Sequence, residues 1–314
     1  MSIPSMFPYL DVVFVVRSFY LLSASLILAV RLLPPLRDRF LAYGARDLGE
    51  TSSNSAKRNS QSSGSAAQFL DTFAMLKVPH HWFVHFYVLS VSCSLLWLQQ
   101  ISMKGRLFKL LAPNSDIYMS DFSLSTTWLC MLLMFVQGIR RLYECIAFSK
   151  PSSSRMWIGH YFIGLAFYAV TSVAIWIQGV TSIPNVAHDG LTSFFGRPRL
   201  QTWLGVLLFG SASFMQHDIH AYLASMRTYK VPEHWAFRYT IAPHYTAESV
   251  LYLGLSILAA PEGQIFNWTI MCTLVFVVIN LGVTAGGTKE WMMNKFQEQR
   301  SQIDRRWKML PGLW

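Results

Sequence analysis

Seven stretches of this 314-residue chain are apolar over close to the roughly twenty residues that carry a helix across a bilayer. They run over about 10–33, 80–100, 122–143, 157–180, 200–222, 241–260 and 265–287. Nothing else constrains the fold as strongly. The pattern predicts an all-α integral membrane protein with seven spans. Only 13% of residues are charged, about half the share of a soluble domain, so the runs override the one or two soluble domains that length alone allows. No period of 20–50 residues repeats, which excludes a solenoid. The first run contains Asp11 and Arg17 and lacks a preceding basic region or small-residue cleavage site, so it reads as a retained span.

The expected division is 1–79, a first transmembrane helix with a cytosolic loop, and 80–314, a six-helix core with a cytosolic tail. Within the loop, residues 49–68 are serine-rich and too polar to fold alone, which predicts a flexible linker. A net charge of +10 could suggest nucleic acid, but the basic residues lie between apolar runs rather than in one patch. Most Lys and Arg fall in the loops after spans one, three and five and in the tail. The other side holds only Lys104, Arg106, Lys109, Arg197 and Arg199. Positive charge stays inside, which predicts a cytosolic C-terminus and an N-terminus outside or in a lumen. Asn267-Trp-Thr269 is a glycosylation sequon on the lumenal side, too close to the membrane to be used. Cys93, Cys130, Cys145 and Cys272 have no CxxC spacing and read as reduced packing residues.

Ionisable residues gather on the predicted cytosolic side. Glu248 is the only carboxylate between Ile241 and Leu258. A charge at such a depth is costly unless paired, so it marks a functional site. Gln216 and His220 are one helical turn apart, with Arg227 two turns further on, and His244 and Glu248 are likewise i and i+4. Arg140-Arg141-Leu-Tyr-Glu144 ends the third span, and Arg305-Arg306 lies in the tail. Guanidinium groups beside acids and amides suit a phosphate-bearing ligand. His81-x-x-x-His85 or His217/His220 could suggest zinc, but no Cys or Asp set completes a tetrahedron, so no metal is expected. GxGxxG and GxxxxGK[ST] are absent, which excludes Rossmann and P-loop devices.

The pieces Val78-Pro-His-His-Trp-Phe-Val-His-Phe-Tyr87, Arg140-Arg-Leu-Tyr-Glu144, Gln216-x-x-x-His220 through Arg227, Pro243-His-Tyr-x-x-Glu248 and Arg306 before Leu-Pro-Gly-Leu-Trp314 resemble the steroid 5α-reductase superfamily. The likeness runs from about residue 70 to the end and is nearest the polyprenol (polyprenal) reductase branch. It implies a seven-helix bundle in the endoplasmic reticulum membrane that binds NADPH and forms dolichol for protein N-glycosylation. It implies cofactor contacts from Arg140, Arg141, Gln216, His220, Arg227, His244, Glu248, Lys289 and Arg306, with either Arg140 or Arg141 in the arginine register. Two departures touch the last helix. Relatives carry His and Phe-Tyr where this chain has Lys289 and Trp291-Met292, and Tyr-Pro where it has Gln302-Ile303. The substrate-side Tyr and Glu of steroid-specific members have no secure match.

Hydride addition to an isolated C=C needs an electron sink, which an α,β-unsaturated aldehyde has and an allylic alcohol lacks. Polyprenal is therefore the expected reactant, with hydride to C3 and a proton to C2, and polyprenol dehydrogenase the expected coupled enzyme. Tyr245, Tyr143, His85 and Tyr87 are the candidate donors to the developing enolate. Glu248 is placed at the nicotinamide, and Trp82, His85 and Tyr87 beside the lipid substrate. Competing readings are a steroid or trans-2-enoyl thioester reductase, a transporter, which should show two similar halves that this chain lacks, and a scaffold.

Overall fold

The computed structural model describes residues 11–41, 65–112, 124–150, 153–179, 199–261 and 263–313. Helix α1 (Val12–Leu32) starts where Asp11 accepts hydrogen bonds from the Val13 and Phe14 amides at 2.8 and 3.2 Å. It stops before Pro34-Pro35, which can only open a new helix, α2 (Pro34–Phe40). Helix α3 (Ser65–Ala74) follows. Most of the predicted linker, residues 49–64, lies outside the described residues. Its last four, Ser65–Gln68, instead begin α3, where Phe69 and Phe73 stack one turn apart.

A short strand β1 (Lys77–Pro79) pairs antiparallel with β2 (Arg155–Trp157), Val78 opposite Met156. Between and after them come α4 (Val84–Ser102), α5 (Arg106–Leu111), α6 (Leu124–Ala147), α7 (Ile158–Ala174), α8 (Leu200–Ser225), α9 (Pro243–Leu258), α10 (Trp268–Lys295) and α11 (Arg300–Asp304). A helix therefore covers the greater part of each of the seven apolar runs. Among the described residues, three segments are both long and apolar enough to cross a membrane: Val12–Leu32, His80–Ser102 and Trp268–Lys295. Helices α7 and α9 are shorter, with 17 and 16 residues. Helices α6 and α8 are long enough, but Gln137, Arg140, Arg141 and Glu144 in one and Gln216, His217, Asp218 and His220 in the other lower their hydropathy. The residues that weaken their membrane signal are the ones that build the site below.

Packing centres on aromatic and small residues. Phe167 stacks on Phe276 at 5.3 Å and meets Tyr252 and Tyr20 edge-on, tying α7, α10, α9 and α1 together. Tyr20 Oη lies 2.8 Å from Thr171 Oγ1, and Trp97 Nε1 donates to Ser172 Oγ at 3.0 Å. Helices α8 and α9 form the most extensive pair. They meet glycine to glycine: a Cβ on Gly254 would lie 2.9 Å from the Gly205 carbonyl oxygen, and one on Gly205 would lie 2.7 Å from the Gly254 oxygen. Small residues at such crossings let two backbones touch inside a membrane. On the outside, Phe14, Leu22, Leu207 and Phe214 are exposed, as a lipid-facing surface requires.

Asn267 is fully buried and caps α10, accepting from the Thr269 and Ile270 amides at 3.0 and 3.1 Å while donating to the Ala259 carbonyl at 3.2 Å. The sequon is thus consumed by helix capping. At the other end of α10, the tail turns back beneath α9. Trp307 N donates to Tyr239 O, Ile241 N to Trp307 O and Ala242 N to Lys308 O, and the Thr246 hydroxyl donates to Met309 O at 2.6 Å.

Candidate active site

One face of the last turns of α6 carries Gln137, Arg140, Arg141 and Glu144, spaced so that neighbours lie three and four residues apart. Glu144 is 2% exposed and is the hub. Arg140 and Arg141 each donate to one of its oxygens, and His217 and His220 of α8 approach the same two oxygens at 2.7 and 2.8 Å. His220 Nδ1 also lies 2.7 Å from Arg141 Nη1. A neutral ring serves one of these partners at a time, donating to the carboxylate in one tautomer and accepting from the guanidinium in the other.

A second line of contacts crosses three helices. Gln137 Nε2 donates to Gln216 Oε1 at 3.1 Å, Arg140 donates to that same oxygen, and Gln216 Nε2 donates to the Glu248 carboxylate. Arg141 reaches the opposite way, donating to Tyr87 Oη at 2.6 Å with its guanidinium 4.9 Å from the Tyr87 ring. Both arginines thus pair directly with the Glu144 carboxylate, and Glu248 joins the network through Gln216. This is the condition for burying such charges without a large penalty.

These groups border a cavity of about 420 Å³ walled by α4, α6, α7, α8, α9 and α10. Its charged corner is Arg141, Gln216, His220, His244, Tyr245 and Glu248; its apolar wall includes Phe86, Met156, Ile163, Phe167 and Val277. His244 Nδ1 is buried without a hydrogen-bond partner. An orphaned ring nitrogen beside a carboxylate and a carboxamide fits an amide-bearing aromatic ligand, the chemistry of a nicotinamide.

Of the residues singled out by sequence, Tyr87, Arg141, Gln216, His220, His244, Tyr245 and Glu248 line this cavity, and Arg140 stands directly behind it. Others do not. Tyr143 is 59% exposed, its ring against Phe148. His85 is exposed, with Nδ1 3.0 Å from Tyr161 Oη, and Trp82 packs on the same pair. Arg227 is exposed just past α8. Lys289 Nζ donates to the carbonyls of Asp304 and Arg306 at 2.6 and 2.9 Å. Arg306 is 7% exposed and donates to Pro232 O at 3.3 Å; among the described residues no carboxylate pairs with it, and burial draws its pKa below the ordinary value. Lys289 and Arg306 therefore sit under the start of α9, at the same end of the bundle as the cavity but outside its lining.

Sequence reasoning missed His160, Tyr168, Asn280 and Thr284, which also line the cavity, and Gln137, which braces it. Gln137 and Asn280 interrupt apolar runs as Glu248 does, so the same signal was present. Tyr168 carried none, because an aromatic residue in an apolar run reads as core.

Residues 197–314 match the family described as 3-oxo-5-alpha-steroid 4-dehydrogenase. The chain is 27% identical over 349 residues to polyprenal reductase 2 of Oryza sativa subsp. japonica, covering 94% of this chain and 95% of that protein. Polyprenal reductase of Saccharomyces cerevisiae is 29% identical over 283 residues, covering 90% and 88% respectively. Polyprenal reductase of Caenorhabditis elegans is 28% identical over 242 residues, covering 70% and 75%. A buried charged corner opening on an apolar wall, a C-terminal match to the 3-oxo-5-alpha-steroid 4-dehydrogenase family and relatives that align along most of the chain make this protein similar to the polyprenal reductases.

Proposed function

We propose that this protein reduces the α-isoprene double bond of polyprenal with NADPH, as a seven-span protein of the endoplasmic reticulum membrane with a cytosolic C-terminus, supplying dolichol for protein N-glycosylation. The observation that carries the reading is one cavity with two characters: a corner of paired charges and amides, and a wall of aromatic and aliphatic side chains. A polar dinucleotide and an isoprenoid need both.

Glu248 and Gln216 hold the nicotinamide amide, and His244 takes the remaining polar contact. Arg141 faces the same corner, while Arg227, Lys289 and Arg306 at the cytosolic end suit the phosphates, for which guanidinium and ammonium are the natural partners. Bound there, NADPH supplies hydride to C3 of the enal. The residues of this chain must keep water out, align the C2–C3 bond, and stabilise the oxygen on which negative charge develops before C2 takes a proton. The allylic alcohol has no such oxygen to receive charge. Polyprenol therefore enters this scheme only after a dehydrogenase has oxidised it, and the saturated aldehyde must be reduced afterwards.

Purified protein in nanodiscs, given NADPH with polyprenal, polyprenol, a 3-oxo-Δ4 steroid or a trans-2-enoyl thioester, tests this directly. NADPH oxidation and a saturated product are expected with polyprenal alone. Turnover of the steroid or thioester in preference would overturn the substrate assignment, and no affinity for NADPH would overturn the whole reading.

A further inference from the structure

We propose that Tyr168 is the catalytic residue that holds the carbonyl oxygen of the aldehyde, donating a hydrogen bond to it as charge builds there; this rests on the polyprenal reading above. Tyr168 lies on α7 and lines the cavity. Its ring is clamped on three sides, edge-on to Tyr87 at 5.7 Å and Phe167 at 5.2 Å and stacked on Phe86 at 6.2 Å. Its hydroxyl is not clamped: among the described residues it has no hydrogen-bond partner. A fixed ring that carries an unengaged hydroxyl on the cavity lining is placed to donate to a polar group of the ligand.

The other candidates are placed less well. His85 and Tyr143 point away from the cavity. The Tyr87 oxygen is engaged by Arg141. Tyr245 sits in the charged corner against His244, ring centres 4.2 Å apart. Tyr168 has Phe86 and Phe167 of the apolar wall as ring neighbours and, on its third side, Tyr87, which holds Arg141 of the charged corner. That is where the polar head of a long apolar aldehyde must lie.

The electron count is simple. Hydride brings an electron pair to C3, the C2–C3 π pair moves to C1–C2, and the carbonyl π pair comes to rest on oxygen. The Tyr168 O–H bond stays intact and only orients to that oxygen. A proton from solvent, admitted only after hydride transfer, then adds at C2 and the C1–O double bond returns, so the enal gains one hydride and one proton.

Tyr168→Phe keeps all three ring contacts and removes only the donor. With polyprenal and NADPH, kcat is expected to fall on the order of 10²-fold, the cost of one oxyanion donor, with the NADPH Kd unchanged. A kcat close to wild type overturns the assignment. A wild-type protein that never turns over polyprenal instead defeats the reading on which it rests, so the two failures are distinct. A second measurement needs no variant. The infrared carbonyl stretch of the saturated aldehyde bound to wild-type protein should drop in frequency, and an unshifted band would equally sink the proposal.

Discussion

Glu144 and Glu248 are carboxylates with different work. Glu144 contacts both arginines and both histidines but does not line the cavity, so it positions others. Glu144→Ala leaves Arg140 and Arg141 buried without their counter-charge, and a loss of about 3 kcal/mol or more is expected, seen as a lowered unfolding temperature in detergent. Glu248→Gln keeps an acceptor for Gln216 and changes no packing. It should leave the unfolding temperature intact while turnover falls by about 10²-fold, the scale of a misplaced reacting group. Sequence alone distinguishes these two acids poorly. Glu248 stood out because its run is otherwise uncharged, whereas Glu144 closes a basic cluster at a span end and resembles an ordinary helix-end ion pair. Its four partners come from two helices, and that convergence is written in tertiary packing. Helical phase explains the misplaced residues. Tyr143 precedes Glu144 by one position, about 100° around the helix, and His85 precedes Tyr87 by two, about 200°. A motif read as a string does not show that rotation.

At the level of elements, hydrophobic patterning located a helix over each of the seven runs, but polar site residues blur the span signal in α6 and α8. What patterning did not disclose was how the helices pair. Gly205 and Gly254 fix the α8–α9 crossing, and these two helices supply Gln216 and His220 on one side and His244 and Glu248 on the other. Gly254→Val would drive side-chain atoms into the Gly205 carbonyl and the Phe209 amide, both within 2.9 Å of a Cβ. An overpacking cost of about 1–3 kcal/mol is expected, together with weakened NADPH binding because the Gln216–Glu248 contact is pulled apart. Calorimetry and a nucleotide titration on the same preparation would check both. Unchanged nucleotide affinity would mean that the crossing and the site are mechanically independent.

For the whole molecule, charge is segregated along the bundle. The C-terminal ends of α6 and α8, the N-terminal ends of α4, α7 and α9 and the middle of α10 all meet at the cavity, as alternating antiparallel helices allow. The tail belongs to that end, pinned to residues 239–246 by backbone pairing and by fully buried Met309. A chain stopped after Arg305 should keep its helix content by circular dichroism yet lose NADPH affinity by at least tenfold, about 1.4 kcal/mol. The sealed Asn267 bears on how variants are interpreted. Replacing Asn267 or Thr269 is the routine way to delete a glycan, but here the first removes three side-chain hydrogen bonds, two that cap α10 and one to the Ala259 carbonyl just past α9, and the second removes a partner of Arg17 at 3.0 Å. A defect from either change reports a broken joint between helices, not a missing sugar.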